Sequence, residues 1–167
     1  MRLSLTSLLL VLALANPVAA GDPSGEKLTF FGLGHIRVGM SAKEIAETGP
    51  SLGPGEGGSD DCYEAPIIAN PKITLMFESG RLTRIDVFDE TVKTWSGVGI
   101  GTTEADAKRV YGAALAVEDH KYVDDGHYLI VKSRDGKHAV VMETDGKRVT
   151  TIRAGFIDSA LYVEGCL

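Results

Sequence analysis

Basic residues are scarce in this chain, because 17 lysine and arginine residues stand against 23 aspartate and glutamate residues, for a formal net charge of −6. The two signs are interspersed, and there is no charged tail. An acidic surface of this kind gains little from approaching a phosphate backbone. The composition therefore argues against nucleic acid as a partner.

Long hydrophobic runs are lacking beyond residues 1–20, MRLSLTSLLLVLALANPVAA. One arginine, a leucine-rich core and a small-residue end are typical of a secretory signal peptide. The apolar core is shorter than the roughly 20 residues of a membrane-spanning helix, and no cysteine follows it for lipid attachment. We predict cleavage before Gly21, a periplasmic or secreted location, and no stable membrane insertion afterwards. A retained membrane anchor is the alternative.

Cysteine is also rare: the chain has two, Cys62 and Cys166. In an oxidising compartment an even pair is typical of a disulfide, which here would close a loop of roughly 100 residues. No histidine lies near either in sequence, which argues against a nucleophilic cysteine. We predict a Cys62–Cys166 disulfide, with two separately buried thiols as the alternative.

Two segments of the sequence show the same order of features. HIRVGMSAKEIAETGP (residues 35–50) reads as a strand end, a glycine turn, and a helix with Ser41 and Glu44 as a capping box. GVGIGTTEADAKRVYGA (residues 97–113) repeats this order, with Thr103 as the N-cap. Strands follow each segment, joined by the turns Ser79-Gly80, Asp125-Gly126, Asp135-Gly136 and Asp145-Gly146.

This order predicts an α+β fold, a duplicated helix-plus-antiparallel-meander repeat in two layers. The predicted divisions are residues 1–20 as signal peptide, 21–93 as the first repeat and 94–167 as the second. Chance similarity between two generic hairpins is the alternative.

The three Asp-Gly pairs, read as two-residue turns, predict the strand register of the second half. One face of the sheet then carries a cross-strand row of Tyr122, Leu129, Met142 and Val149. The second face carries Tyr128, Ile130, Val141 and a cross-strand pair of Glu143 with Arg148. Because this second face is half polar, we predict that it is covered by the other repeat, by the C-terminal stretch FIDSALYVEGCL, or by a protein partner.

No catalytic constellation emerges from the sequence. The predicted register does not bring His120, His127 and His138 together, so we expect no metal site, no catalytic residue and no cofactor. We predict that the protein is not an enzyme. The alternative is a small envelope hydrolase or metal-binding protein that uses the hairpin from Asp124 to His127.

The phrases IRVGMSAKEI and VGIGTTEADA resemble the helix start of the β-lactamase-inhibitor protein repeat and of small lipoproteins that help assemble outer-membrane proteins. The inhibitor is a tandem of two repeats, which this duplication would match across nearly all of the chain after residue 20. Departures are one cysteine in each half, an aromatic content of 7% and no lipid-anchoring cysteine. The resemblance implies a fold and a binding style rather than inhibition of β-lactamase.

These observations predict a secreted or periplasmic non-enzymatic protein-binding module of inhibitor, immunity or envelope-assembly type. Its partner would be a protein of the cell envelope. The candidate partner-binding residues are Trp95, at the joint between the repeats, and Tyr128, Glu143 and Arg148 on the second face. A purely structural envelope protein, closed by its own tail, is a further alternative.

Overall fold

The computed structural model describes Pro23 and residues 25–59 and 61–166. The predicted signal peptide, residues 1–20, lies outside these residues. In chain order the elements are β1 (Lys27–Thr29), β2 (Gly32–Leu33), β3 (Ile36–Arg37), α1 (Ala42–Thr48), β4 (Glu56–Ser59), β5 (Cys62–Ile67), β6 (Asn70–Glu78), β7 (Arg81–Val87), β8 (Lys93–Thr94), α2 (Glu104–Tyr111), a 3₁₀ turn (Gly112–Ala114), β9 (Leu115–Asp119), β10 (His127–Lys132), β11 (His138–Thr144), β12 (Val149–Phe156) and α3 (Ile157–Leu161).

The described strands form a small and a large sheet. The small sheet has the order β3-β2-β1-β8, and the large sheet has the order β4-β5-β6-β7-β12-β11-β10-β9. Strands β7 and β12 pair in the middle of the large sheet, with Ala154 opposite Ile85. One continuous sheet therefore spans both halves of the chain.

The main core lies on the first face of the large sheet. Side chains of the small sheet and of both longer helices pack there, including Leu28, Leu33, Ile45 and Ala107. Each fully buried aliphatic side chain contributes about 1.5–3 kcal/mol relative to its exposure to water. This face supplies most of the apolar burial.

The predicted α+β fold of two layered helix-plus-meander repeats is wrong, because the described structure is mostly β. Helix α1 has seven residues and buries only Ile45, and α2 has eight residues and buries Glu104 and Ala107, so neither forms a layer. The segment before α1 forms three short strands because Gly34, at φ +56°, allows a tight turn between β2 and β3. The division at residues 93 and 94 falls within β8 and stays a prediction.

Helix starts and one turn follow the sequence prediction. The capping box of Ser41 and Glu44 is confirmed, and the Thr103 hydroxyl accepts a hydrogen bond from the amide of Asp106 at 3.1 Å. Ser79 and Gly80 both have positive φ and form a two-residue hairpin turn between β6 and β7.

The predicted register is confirmed for one strand pair and wrong for two. Strands β10 and β11 pair as predicted, with Leu129 opposite Met142. Residues 120–126 form a connection much longer than two residues, so Val117 rather than Tyr122 lies opposite Leu129. A register irregularity after Glu143 places Thr151 opposite it, so the predicted Glu143–Arg148 pair does not form.

The second face of the large sheet is partly covered by the C-terminal segment, residues 157–166. Its side chains Ile157, Ala160 and Val163 pack against an apolar cluster of Tyr128, Ile130, Ala139 and Val141. The predicted disulfide is confirmed, and it joins Cys166 to Cys62 of β5 across 104 residues. The segment is therefore held at its start by β12 and at its end by a covalent bond.

Replacement of both cysteines by serine, Cys62→Ser with Cys166→Ser, should lower the free energy of unfolding by up to about 4–5 kcal/mol, because the bond closes a loop of roughly 100 residues. Urea denaturation measures this loss. Amide hydrogen exchange in residues 157–166 should accelerate more than exchange in β6. Unchanged stability and unchanged exchange in the C-terminal segment would contradict the role assigned to the disulfide.

Candidate functional site

Charged side chains occupy the middle of the second face. Arg84 and Asp86 lie two residues apart on β7 and therefore point to the same face of the sheet. Arg153 of β12 lies directly opposite Asp86. Glu64 of β5 and Glu143 of β11 lie in the rows on either side. We call the surface with these five residues on its floor the charged trough.

Arg84 links two carboxylates in the trough. Its side chain is only 5% exposed, and its Nε donates to Asp86 Oδ2 at 2.8 Å. Its Nη2 donates to Glu64 Oε1 at 3.2 Å. Charge-assisted hydrogen bonds of this kind are stronger than neutral ones, so Arg84 fixes the relative positions of both carboxylates.

Arg153 holds the third carboxylate. Its Nη1 donates to Glu143 Oε1, and its guanidinium group lies 5.7 Å from the centre of the Tyr128 ring. The His120 ring stacks on the same tyrosine with 4.5 Å between ring centres, and its Nε2 lies 3.5 Å from Glu143 Oε2. The trough is therefore built from a connected polar network on an aromatic wall.

Both arginines also bind the backbone of the C-terminal segment. Arg153 Nε donates to the carbonyl of Ala160 at 2.7 Å. Arg84 Nη1 donates to the carbonyls of Ser159, Tyr162 and Glu164 at 3.3, 3.1 and 3.1 Å. The segment thus forms one side of the trough and depends on the two guanidinium groups for its position.

The floor carries three carboxylates against two guanidinium groups. Burial raises the pKa of Asp86, and the neighbouring Glu143 carboxylate adds to this rise, while Arg84 and Arg153 oppose it. Burial also raises the pKa of Glu64, with a further contribution from Asp86 and opposition from Arg84. By formal charge, the floor therefore has one carboxylate more than it has guanidinium groups.

Two shallow hollows lie in the trough on either side of Arg153 and Val163. The first, about 270 Å³, is lined by the charged floor together with Thr74, Phe88 and Thr151. The second, about 170 Å³, extends to the edge strand and is lined by Glu118, Asp119, Lys121 and Tyr128. Phe88 stands at the mouth of the first hollow with 49% of its surface exposed. The trough is therefore open to solvent over part of its length.

The structure brings two of the four predicted partner-binding residues into the trough. Glu143 is on its floor, and Tyr128 forms its wall with only 5% of its surface exposed. The other two lie elsewhere. Arg148 donates to the Gly101 carbonyl at 2.7 Å, and Trp95 packs on Phe30 with 4.5 Å between ring centres.

Sequence reasoning missed Glu64, Arg84, Asp86 and Arg153. The signal was present in RLTRIDV, where an arginine and an aspartate two residues apart interrupt a strand that is otherwise largely apolar. Two charges on one face of a central strand, next to Arg153 in the partner strand, predict a buried ionic network once the strand order is known. The order itself was the missing information.

The hairpin from Asp124 to His127 is part of a structural contact. His127 Nδ1 lies 3.0 Å from Glu104 Oε2 of α2, and Thr144 donates to the same oxygen at 2.6 Å. Burial opposes ionisation of Glu104, but bonds from Lys108, Thr144 and His127 lower its pKa. Within residues 25–59 and 61–166, no group of three histidine, cysteine, aspartate or glutamate side chains is placed to hold a metal ion.

Among the described helices, none combines the length and hydrophobicity needed to cross a membrane. No family model matches the chain, and no curated protein matches it.

Two solved structures are among those to which this chain is similar. The uncharacterised protein yfeY from Escherichia coli matches with a TM-score of 0.53 and 17% identity, over 77% of this chain and 99% of that chain. A cysteine-rich secretory protein (SAV1118) from Staphylococcus aureus matches with a TM-score of 0.45 and 13% identity, over 83% of this chain and 51% of that chain. The first likeness shows a shared β-rich fold. Neither supports the resemblance to the β-lactamase-inhibitor repeat or the assembly lipoproteins.

Arg84→Met should lower the free energy of unfolding by about 3–5 kcal/mol, because it leaves two partly buried carboxylates and three backbone carbonyls without their donor. Urea denaturation measures the loss. The matched control is Arg81→Met on the same strand, whose ion pair with Glu44 is largely exposed and should contribute little. Equal effects of the two substitutions would contradict the ionic network.

Asp86→Asn should show how the trough responds to pH. The pKa of Asp86 is higher in the folded protein than its ordinary value of 3.8. At pH values between these two pKa values, the folded protein therefore binds more protons than the unfolded chain does. In that window Asp86 makes the free energy of unfolding fall as pH rises. The stability of Asp86→Asn minus that of the unmodified protein should therefore increase from pH 4 upwards in urea titrations. A difference that decreases with pH would contradict the raised pKa.

Proposed function

We propose that the protein is an exported, non-enzymatic binding protein that holds a basic side chain of a protein partner in the charged trough. The observation that carries this proposal is that three partly buried carboxylates share the trough floor with two guanidinium groups.

The charge of the trough favours a cationic ligand. Burial is the main cause of the raised pKa values of Asp86 and Glu64, but around Glu64 the Asp86 carboxylate raises the pKa more than Arg84 lowers it, which favours additional positive charge beside Glu64. A lysine or arginine side chain placed there would supply that charge and accept no proton. Glu118 and Asp119 add two carboxylates at the rim of the second hollow, beside Lys121 and Arg153.

The dimensions of the trough favour a protein ligand over a metabolite. Its hollows of about 270 and 170 Å³ are smaller than the roughly 300–1,000 Å³ of typical small-molecule sites, and they are open. A single side chain anchored in such a hollow, with an exposed aromatic side chain such as Phe88 beside it, is typical of protein interfaces.

The contacts of the trough residues support binding rather than catalysis. The carboxylates of Asp86, Glu64 and Glu143 all accept hydrogen bonds from arginine. His120 Nδ1 accepts hydrogen bonds from the amides of Tyr122 and Val123, which leaves Nε2 facing Glu143. Each carboxylate keeps further lone pairs, and beside an arginine these suit another cation better than a neutral substrate that must lose a proton.

The disulfide supports an exported location, because such bonds form and persist in oxidising compartments. The leucine-rich residues 1–20 support the same location.

The test is selection of a random peptide library on the chain from Gly21 onwards, followed by calorimetry with the selected peptides. We expect selection of lysine and arginine. The double variant Glu64→Gln with Glu143→Gln leaves one carboxylate against two guanidinium groups, which reverses the charge of the floor. It should weaken binding at least about tenfold, a change of about 1.4 kcal/mol.

The matched control is Glu47→Gln, the same chemical change on α1, whose Ile45 packs on the opposite face of the sheet. It should leave binding unchanged. Selection of acidic or purely apolar peptides, or equal binding by both variants, would overturn the proposal.

A further inference from the structure

Strand β9 forms an open end of the large sheet. Among the described strands it pairs only with β10, through five residue pairs from Leu115–Val131 to Asp119–His127. Residues 116–119 are exposed, and Val117 is 43% exposed. The backbone on the outer side of an edge strand can pair with another chain in extended conformation.

The second hollow of the trough opens at this edge. Glu118 lies opposite Tyr128, and both line that hollow together with Arg153. Val117 lies opposite Leu129 and points to the other face. An added strand would therefore meet an acidic residue on the trough side and an apolar residue on the opposite side.

The other end of the large sheet is less suitable as a template. Strand β4 contains Gly57 and Gly58, and its pairing with β5 has a register irregularity. Gly57 has φ +134°, and a β-carbon at this position would lie only 2.9 Å from Cβ of Cys166. Bulges and irregular geometry of this kind protect an edge from further pairing.

We propose that the partner presents an extended segment of alternating apolar and basic residues, which pairs with the outer edge of β9 as a ninth strand. This inference rests on the proposed function of the trough. A basic residue of the segment lies beside Glu118 at the mouth of the second hollow, and an apolar residue lies beside Val117. Backbone hydrogen bonds supply affinity, and the alternating side chains supply specificity.

Geometry and charge favour this occupant. Neighbouring strands lie about 4.8 Å apart, so a basic residue on the added strand starts one strand spacing from Glu118 and within reach of the hollow. A second copy of this chain would instead bring its own Glu118 and Asp119 to an edge that is already acidic. Like charges placed at such an interface are unfavourable.

The test uses a capped synthetic peptide of alternating valine and lysine, with the full chain from Gly21 onwards. Nuclear magnetic resonance should show slower amide exchange at alternate residues of β9, at least about tenfold, with no change in β4. A peptide of the same composition with all its valines before its lysines should give no such protection. N-methylation of every second residue of the valine–lysine peptide can be placed on either of two alternate sets of amides. It should abolish the protection of β9 only for the set whose amides face β9.

A charge exchange provides an independent readout. Glu118→Lys should weaken binding of the valine–lysine peptide about tenfold, because opposite charges on paired strands become like charges. It should strengthen binding of the corresponding valine–glutamate peptide, because like charges there become opposite charges. Binding that depends on Glu64 and Glu143 without protection of β9 would overturn the added strand and leave the trough proposal standing. Absence of any binding would overturn both. Protection of β9 without peptide, with doubled mass in light scattering, would assign the edge to a second copy.

Discussion

The buried guanidinium group of Arg84 is the interaction on which the second face of the sheet depends. All three of its nitrogen atoms donate, to Asp86, to Glu64 and to carbonyls of the C-terminal segment. Guanidinium suits this position because its planar fork offers five donors and stays charged. Desolvation of the ions costs several kcal/mol each, and only the combination of ion pairs and carbonyl contacts offsets it.

The position of the C-terminal segment follows from this interaction. Its backbone carbonyls are bound by Arg84 and Arg153, its apolar side chains cover the cluster around Ile130, and Cys166 is bonded to β5. These three attachments lie at different points of a ten-residue segment. The segment is thereby confined to one side of the face, and the strip from Phe88 to Glu118 stays open beside it.

Local features of the fold were predictable from the sequence, and the assembly was not. Ser41 and Thr103 as caps, the Ser79-Gly80 turn and the β10–β11 register each depend on residues close together in the chain. The predicted layers failed because the pairing of β7 with β12, which joins both halves of the chain in one sheet, depends on contacts between distant segments. The error in register arose where Asp125-Gly126 and Asp145-Gly146 lie within longer connections.

The candidate site shows the same division. Tyr128 and Glu143 were found because the β10–β11 register was right, and the Glu143–Arg148 pair was wrong because one irregularity shifts every later residue of β12. Arg84, Asp86 and Arg153 meet only when β7 and β12 are neighbours. The sequence placed charges inside these strands, but it contained no local signal for which strands would be adjacent.

The two parts of the second face differ in a way that stability alone does not explain. Under α3, Ile130, Ala139 and Val141 are closed by apolar packing, which shows that this sheet can be covered without ions. Replacement of a buried ionic network by apolar residues of similar volume is often neutral or stabilising in other proteins. The ionic network instead lies at an opening bordered by Phe88, with three carboxylates around two guanidinium groups. A cation supplied by a ligand would balance these charges, so the proposed basic ligand would account for an ionic network at a position that apolar packing could close.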